Sequence, residues 1–133
     1  MRVRTYLVLL FCMLACVGCG KKKSTGELIG DLNGANERDR IIAARTLPHR
    51  KGDAAQVVPA LIKALRDKDG HVRRSAALGL GQFGEQAKDA IPALQKAQHD
   101  GDVRVREAAT KALSRIDPER FPLPSASRPP QGK

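Results

Sequence analysis

The amino-acid sequence predicts an all-α protein, an α-solenoid of about three helix-turn-helix repeats. Three observations predict this fold class. The chain repeats itself at a constant offset of 33 positions, apolar side chains recur at helical spacing inside each copy, and only 3% of the residues are aromatic. A core that is poor in aromatic residues is built from Leu, Ile, Val and Ala, which suits closely packed helices better than a sheet.

The internal repeat is strongest between residues 59–80 and 92–113. Eleven of these 22 positions hold the same residue in both copies, among them a Pro-Ala-Leu and a Val-Arg sequence. A weaker third copy lies upstream, where six positions between Leu28 and Leu47 correspond to like residues 33 positions later. We therefore place one domain over 26–116, with repeats at about 26–50, 54–84 and 87–116.

Each copy is predicted to hold two helices joined by a polar turn. In the middle copy, the apolar positions 57, 58, 61, 62 and 65 share one face of a first helix. The apolar positions 72, 76, 80 and 83 share one face of a second helix. The segment 66–70 between them is polar and turn-like. A helix pair cannot bury such faces alone, so the three copies must stack on one another.

The ends of these helices carry recognisable residues. Asp69 is predicted to cap the second helix of the middle copy, and Asp102 and Asn36 are predicted to do the same in the other copies. Gly81 and Gly84 are expected to end the second helix of the middle copy. Pro92 is expected in the first turn of the next helix, where its missing N–H costs nothing.

The N-terminal segment has the features of an export signal. Arg2 and Arg4 form a basic start, and the apolar run from Tyr6 to Val17 is too short to cross about 30 Å of hydrocarbon as a helix. The run ends in Cys-Val-Gly-Cys, which resembles a bacterial lipoprotein signal. The resemblance implies that residues 1–18 are removed and that Cys19 is diacylated. Two alternatives remain, acylation of Cys16 and an ordinary signal peptide with an incidental cysteine.

Residues 19–25 are predicted to form a lipidated basic tether. Lys21, Lys22 and Lys23 follow the acylated cysteine directly, so we expect them to contact anionic headgroups, at about 1 kcal/mol per lysine. One acyl chain alone binds a membrane only marginally, and further chains or a basic patch stabilise the anchor. We therefore expect an exported protein, anchored to the bacterial cell membrane or to the outer membrane.

The repeat also resembles a known family. The residues that carry the resemblance are Leu61 and Leu94 in the first helices, Asp69 and Asp102 in the turns, Val72-Arg73 and Val105-Arg106, Ala76-Ala77-Leu78-Gly79, and Gly81-Gln82-Phe83-Gly84. This pattern is similar to HEAT repeats, in particular the short bacterial type named after phycobilisome lyases. The resemblance implies the solenoid fold, and it leaves the function open because such repeats serve many unrelated roles.

Arginines recur at the start of the second helices. Arg40, Arg73 and Arg106 each follow an Asp or Asn by four positions, which favours a structural ladder made of Asp69, Arg73, Asp102 and Arg106. The alternative is a basic stripe that binds a ligand. Among the neighbouring basic residues, Arg38, Arg74 and Arg104 are candidates for contacting a partner. The net charge of +10, or +8 without Arg2 and Arg4, favours an anionic partner.

No catalytic motif is visible in the sequence. It has no metalloprotease, phosphate-loop or nucleophile-elbow pattern, and its three cysteines, Cys12, Cys16 and Cys19, all lie in the N-terminal segment. We therefore predict a non-enzymatic, membrane-anchored scaffold that binds an unidentified protein, without a metal or a cofactor. The alternative is a basic module that binds an anionic polymer, lipid headgroups or nucleic acid, although export disfavours nucleic acid.

The residues 117–133 hold five of the eight prolines and are predicted to be a disordered tail.

Overall fold

The computed structural model describes residues 22–123. This part of the chain forms six α-helices, which we number α1 (Thr25–Leu32), α2 (Glu37–Thr46), α3 (Ala54–Ala64), α4 (Gly70–Phe83), α5 (Ile91–Ala97) and α6 (Val103–Ile116). Short 3-10 turns at Leu47–His49, Lys51–Asp53 and Gly84–Ala90 connect the pairs. No strand occurs over 22–123, and the all-α fold class is confirmed. Cys19, Lys21, the predicted signal peptide and the tail from residue 124 onward lie outside the described residues.

The helices pair as α1 with α2, α3 with α4, and α5 with α6, and the pairs stack. Helix α4 lies at the centre, because it packs against α2 on one side and α6 on the other. The second helices meet through a layer of leucines, Leu47, Leu80 and Leu113, which are all fully buried. Small residues at 43, 76 and 109 are buried beside them and let the helices approach closely. The apolar repeat positions thus form one continuous core.

The helix caps are those that the sequence predicts. Asn36 accepts a hydrogen bond from the backbone N–H of Arg38, and Asp69 accepts from the N–H groups of the second and third residues after it. Asp102 accepts from the N–H of Arg104. The first helix has a capping box in which Ser24 and Glu27 satisfy each other's backbone N–H groups. Each of these helix starts is therefore set by its own local sequence.

Two glycines of the middle repeat have different roles. Gly84 ends α4, and its φ of +56° is a conformation that other residues rarely adopt. Gly81, which is also expected from the sequence to end the helix, lies inside it and is buried. A Cβ atom at Gly81 would lie 2.9 Å from the Cα of Ala112 in α6. The prediction for Gly81 is therefore wrong, because this glycine permits close packing of two neighbouring helices and leaves α4 uninterrupted.

We expect Gly81→Ala to lower the free energy of unfolding by about 1–3 kcal/mol, because the new methyl group would press on the α6 backbone. Gly30 in α1 provides a matched control, since a Cβ there has no heavy atom within 4 Å. Gly30→Ala should raise the stability by about 0.4–1 kcal/mol through helix propensity. Urea unfolding of both variants checks the pair. A Gly81→Ala protein as stable as Gly30→Ala would show that α4 and α6 are not in close contact.

The two ends of the stack are more polar than its middle. Gln98 stands where the middle repeat has the buried Leu65, and its side chain donates a hydrogen bond to Thr110 at 3.2 Å. Phe121 folds back and packs against the core, whereas Leu123 is 38% exposed.

Over residues 22–123, none of the helices combines the length and the apolar character that crossing a membrane requires.

Candidate functional site

An arginine–aspartate pair joins each of the first two repeats to the following one. The Nε of Arg40 donates to Asp67 at 2.9 Å, and Arg73 binds Asp100 through two hydrogen bonds of 2.8 Å. The Nη1 of each arginine also donates to two carbonyl oxygens in the turn before its own helix. One guanidinium therefore fastens its own turn and the turn of the next repeat. Arg40 is only 4% exposed, so the first pair is buried.

The acidic partners in this ladder differ from those that the sequence suggests. Asp69 and Asp102 are predicted as its members, but the structure uses them as helix caps. The carboxylates that receive the arginines are Asp67 and Asp100, two residues earlier. These aspartates also recur 33 positions apart, so the sequence contains a signal for them. The distance between repeats, which no local pattern contains, decides which aspartate of each turn meets the arginine.

The third arginine of the series has a different environment. The Nη1 of Arg106 donates to the carbonyl oxygens of Asp100 and Gly101, as the other two arginines do in their own turns. Between residues 22 and 123, however, it forms no ion pair. In the first two repeats the carboxylate comes from the following repeat, and the described chain holds no repeat after the third. Arg106 therefore fastens only its own turn.

The ladder and the caps perturb the acidic residues of the last turn. The side chain and the backbone N–H of Arg104 lower the pKa of Asp102 from its ordinary 3.8 to about 2. The hydrogen bonds from the Arg73 side chain lower the pKa of Asp100, and the same bonds raise the pKa of Arg73. These carboxylates are structural anions, already paired with cations, and they are not poised to take up a proton near neutral pH.

We expect the protein to lose stability in acid below about pH 4. A carboxyl group with a lower pKa in the folded than in the unfolded chain stabilises the fold above its unfolded pKa, and this contribution disappears as the pH falls through its folded pKa. For Asp102 the window runs from 3.8 down to about 2. Urea midpoints measured across this window should fall with pH. In Asp102→Asn the urea midpoint should fall less steeply with pH, and part of the fall should remain because Asp100 still titrates. A fall as steep as in the unmodified protein would contradict the prediction.

The second helices of the repeats share a basic face. It consists of exposed side chains that helical spacing places on the solvent side of α2, α4 and α6: Arg38, Arg45, Arg74, Arg104, Lys111 and Arg115. The three predicted partner-binding residues are all exposed, each on the second helix of its own repeat. Arg104 is bound to Asp102 at 2.9 Å, whereas Arg38 and Arg74 form no ion pair within the described residues. Glu37 of α2 and Glu107 of α6 are acidic side chains that are exposed on the same helices. The basic face can attract an anionic surface.

A cavity of about 620 Å³ lies beside the Arg40–Asp67 pair. Its other charged lining residues are Lys63, Arg66 and Lys68, and a smaller cleft of about 160 Å³ occupies the equivalent place in the next repeat. Because Asp67 is already neutralised by Arg40, the remaining charges suit an anion. Over 22–123 the side chains of His, Cys, Asp and Glu form no group of three that could hold a metal ion.

The end of the predicted tether is ordered on the first repeat. The ammonium group of Lys23 binds Asp31 at 2.6 Å, and the carbonyl oxygen of Lys23 accepts a hydrogen bond from Arg50 at 2.8 Å. The bond to Asp31 raises the pKa of Lys23. Lys22 is exposed. Lys23 therefore has an intramolecular partner that the sequence did not predict, although its side chain is still 56% exposed.

Comparison with known proteins identifies the repeat. A family model described as HEAT repeats matches residues 27–114. A solved structure with 29% sequence identity and a TM-score of 0.66 is the complex of CpcE and CpcF of phycocyanin lyase from Nostoc sp. PCC7120. The match covers 75% of this chain and 40% of that chain, so this protein spans less than half the length of its neighbour. Among curated proteins, none matches the chain.

This likeness corrects one prediction from the sequence. We predicted that the protein is not an enzyme, because no catalytic motif is visible. The neighbour is a complex of two proteins of phycocyanin lyase and is 29% identical, and this likeness contradicts that prediction. The absence of local motifs was a poor guide, since an enzyme subunit built from helical repeats need not carry one. The match over residues 27–114 shows that the chain belongs to the HEAT-repeat family.

Proposed function

We propose that this protein is a membrane-anchored repeat scaffold whose basic face docks an acidic surface of a partner protein. HEAT repeats form a repeat scaffold for protein interaction, and the family match gives that scaffold to this chain. The observation that carries the proposal is the set of exposed cations on the second helices of three successive repeats. Arg38 and Arg74 have no carboxylate partner within 22–123, so their charges are available to another molecule.

The solved neighbour supports action together with a second protein. That structure is a complex of two named proteins of a lyase, and this chain shares its fold. We propose that this chain likewise works as one subunit of a larger assembly, and that any chemistry belongs to that assembly. The cavity beside Arg40 and Asp67 is a place where an anionic group of a partner or a substrate could bind.

The anchor in this proposal is the acylated Cys19. The support for it is the sequence of the N-terminal segment, namely the basic start, the short apolar run, the small residues before the cysteine and the lysines after it. Acyl chains attached at Cys19 would hold the scaffold at the membrane surface, with the repeats on the far side of the membrane from the cytoplasm. The basic lysines would add to the affinity for anionic lipid.

Replacing Cys19 tests the anchor. We expect Cys19→Ser to release the protein from the membrane fraction, because the acyl chains provide most of the binding. The measurement is fractionation of cells that express either form, combined with metabolic labelling by a fatty acid. Cys16→Ser is the matched control and should leave both labelling and sedimentation unchanged. If Cys19→Ser protein still sediments with membranes, the anchor is not at this residue.

Crosslinking from the anchored protein tests the basic face. We expect Arg74→Glu to remove the crosslinks to the partner, whereas Lys88→Glu, with the same change of charge outside the second helices, should retain them. Lys88 is a suitable control because its ion pair with Glu85 is exposed and contributes little to stability. Retention of the crosslinks in Arg74→Glu would reject the basic face. Binding that depends strongly on salt, and that an anionic polymer reproduces, would favour the polymer-binding alternative.

A further inference from the structure

The first repeat has an exposed isoleucine at a position that is half-buried in the middle repeat and covered in the last. Ile42 of α2 is 51% exposed. The residue two repeats later, Ala108 of α6, is only 2% exposed, and α6 packs closely against α4. In the described chain no second helix precedes α2, so this side of α2 forms the N-terminal end of the stack. Ile42 is thus the apolar residue at the middle of an uncovered helix face.

The predicted tether leaves the fold at this same end. Arg50 and Asp31 hold Lys23 against the first repeat, and Lys23 lies close enough to Asp39 of α2 to interact with its charge. Asp39 is one helical turn from Ile42. Lys23 follows Cys19 by four positions, and even a fully extended chain of that length reaches only about 14 Å. An acyl chain on Cys19 would therefore hold this end of the stack close to the bilayer.

The charges at this end favour an anionic bilayer. The cations are Lys22, Lys23, Arg38, Arg45 and Arg50, and the carboxylates are Glu27, Asp31, Glu37 and Asp39, so the cations exceed the carboxylates by one. Asp31 binds Lys23 directly, and Glu27 and Asp39 lie near enough to help raise the pKa of this lysine. Arg45 is exposed one turn after Ile42, so its stem can lie along the apolar side chain while its head meets a phosphate group. Arg38 lies one turn before Ile42 and belongs both to this end of the stack and to the basic face.

We propose that the N-terminal end of the stack lies against the anionic bilayer, with Ile42 in the headgroup region and Arg45 on lipid phosphates. This orientation rests on the proposed anchor at Cys19. It points the stack of repeats away from the membrane, and it leaves the α4 and α6 parts of the basic face open to a partner. The lipid anchor supplies the affinity, and the contact at Ile42 sets the orientation.

A single introduced thiol can report this contact in the full lipidated protein. All three cysteines lie at or before Cys19, so the processed chain would carry no reactive thiol once Cys19 is acylated. We would label Ile42→Cys with an environment-sensitive fluorophore and reconstitute the protein into phosphatidylcholine vesicles that contain phosphatidylglycerol. Val103→Cys is the matched control, because Val103 is equally exposed and lies in the last repeat. The readouts are flotation with the vesicles, the emission maximum and quenching by spin-labelled lipid.

The proposal predicts a blue-shifted emission at position 42 and quenching several-fold stronger than at position 103. Flotation with equal quenching at both positions would overturn the orientation and leave the anchor in place. Failure to float would overturn the anchor, and the orientation with it. In the Ile42→Cys protein, Arg45→Glu should weaken the quenching, whereas Lys111→Glu, at the same position two repeats later, should not. Equal quenching in these two variants would overturn the contact with lipid phosphates.

Discussion

Asp67→Ala is expected to lower the free energy of unfolding by about 3–5 kcal/mol, the largest loss that we predict for a single substitution. The substitution leaves the Arg40 guanidinium, whose side chain is only 5% exposed, without its carboxylate. The two carbonyl oxygens that Arg40 also contacts cannot neutralise a buried positive charge. The loss also releases the turn of the second repeat from the first, and denaturant unfolding followed by circular dichroism measures it.

Glu85→Ala is the control for this measurement. Glu85 and Lys88 form an exposed pair with a separation of 3.7 Å, and such pairs contribute about 0–1 kcal/mol. Replacing both Arg40 and Asp67 by apolar residues should recover much of the stability, because a buried pair is costly to desolvate and most of the damage comes from leaving one charge alone. A loss for Asp67→Ala no greater than that for Glu85→Ala would show that the ladder does not hold the repeats together.

Leu80→Ala is expected to destabilise the fold by about 2–5 kcal/mol. Leu80 is fully buried in α4, in the layer that also contains Leu47 and Leu113. Because α4 packs against both α2 and α6, a cavity at this position weakens two interfaces between repeats at once. We expect a clear decrease in the melting temperature, and a cooperative transition that broadens if the repeats begin to unfold separately.

Leu123→Ala serves as the comparison, since Leu123 is 38% exposed and the same atoms are removed at little cost. Leu113→Ala should also destabilise the fold, but by less than Leu80→Ala does. Within the described chain, α6 has a neighbouring second helix on one side only. An unchanged melting temperature in Leu80→Ala would reject the leucine layer as the common core of the three repeats.

Much of the fold can be predicted from local sequence patterns whose physical basis is known. The apolar spacing around Leu80 predicts a helix with one buried face, and the structure buries that face. Asn36 and Asp69 are predicted as caps because a short polar side chain before a helix satisfies N–H groups that have no other partner, and both do so. These features depend on residues within one or two turns, so the sequence contains all the information they require.

The basic residues of the candidate site can be recognised from the sequence, but the carboxylate that each one meets cannot. The recurrence of Arg73 with Arg40 and Arg106 predicts a structural role for it, and Arg38 and Arg74 are candidates for contacting a partner. The structure exposes Arg38 and Arg74, and Arg73 binds Asp100 of the next repeat.

The absence of a catalytic motif predicted a protein that is not an enzyme, and the likeness to a lyase complex contradicted that prediction. A catalytic site that several chains form together leaves no complete motif in any one of them.

Periodicity alone is enough to derive the stacked helix pairs, their caps and their aliphatic interior, because each depends on spacing along one chain. The pairing of Arg73 with Asp100, the close contact of Gly81 with Ala112 and the exposure of Ile42 arise only when the repeats are assembled. They depend on the distance and rotation between neighbouring helices. Side chains far apart in the chain determine that geometry jointly, and no local pattern encodes it.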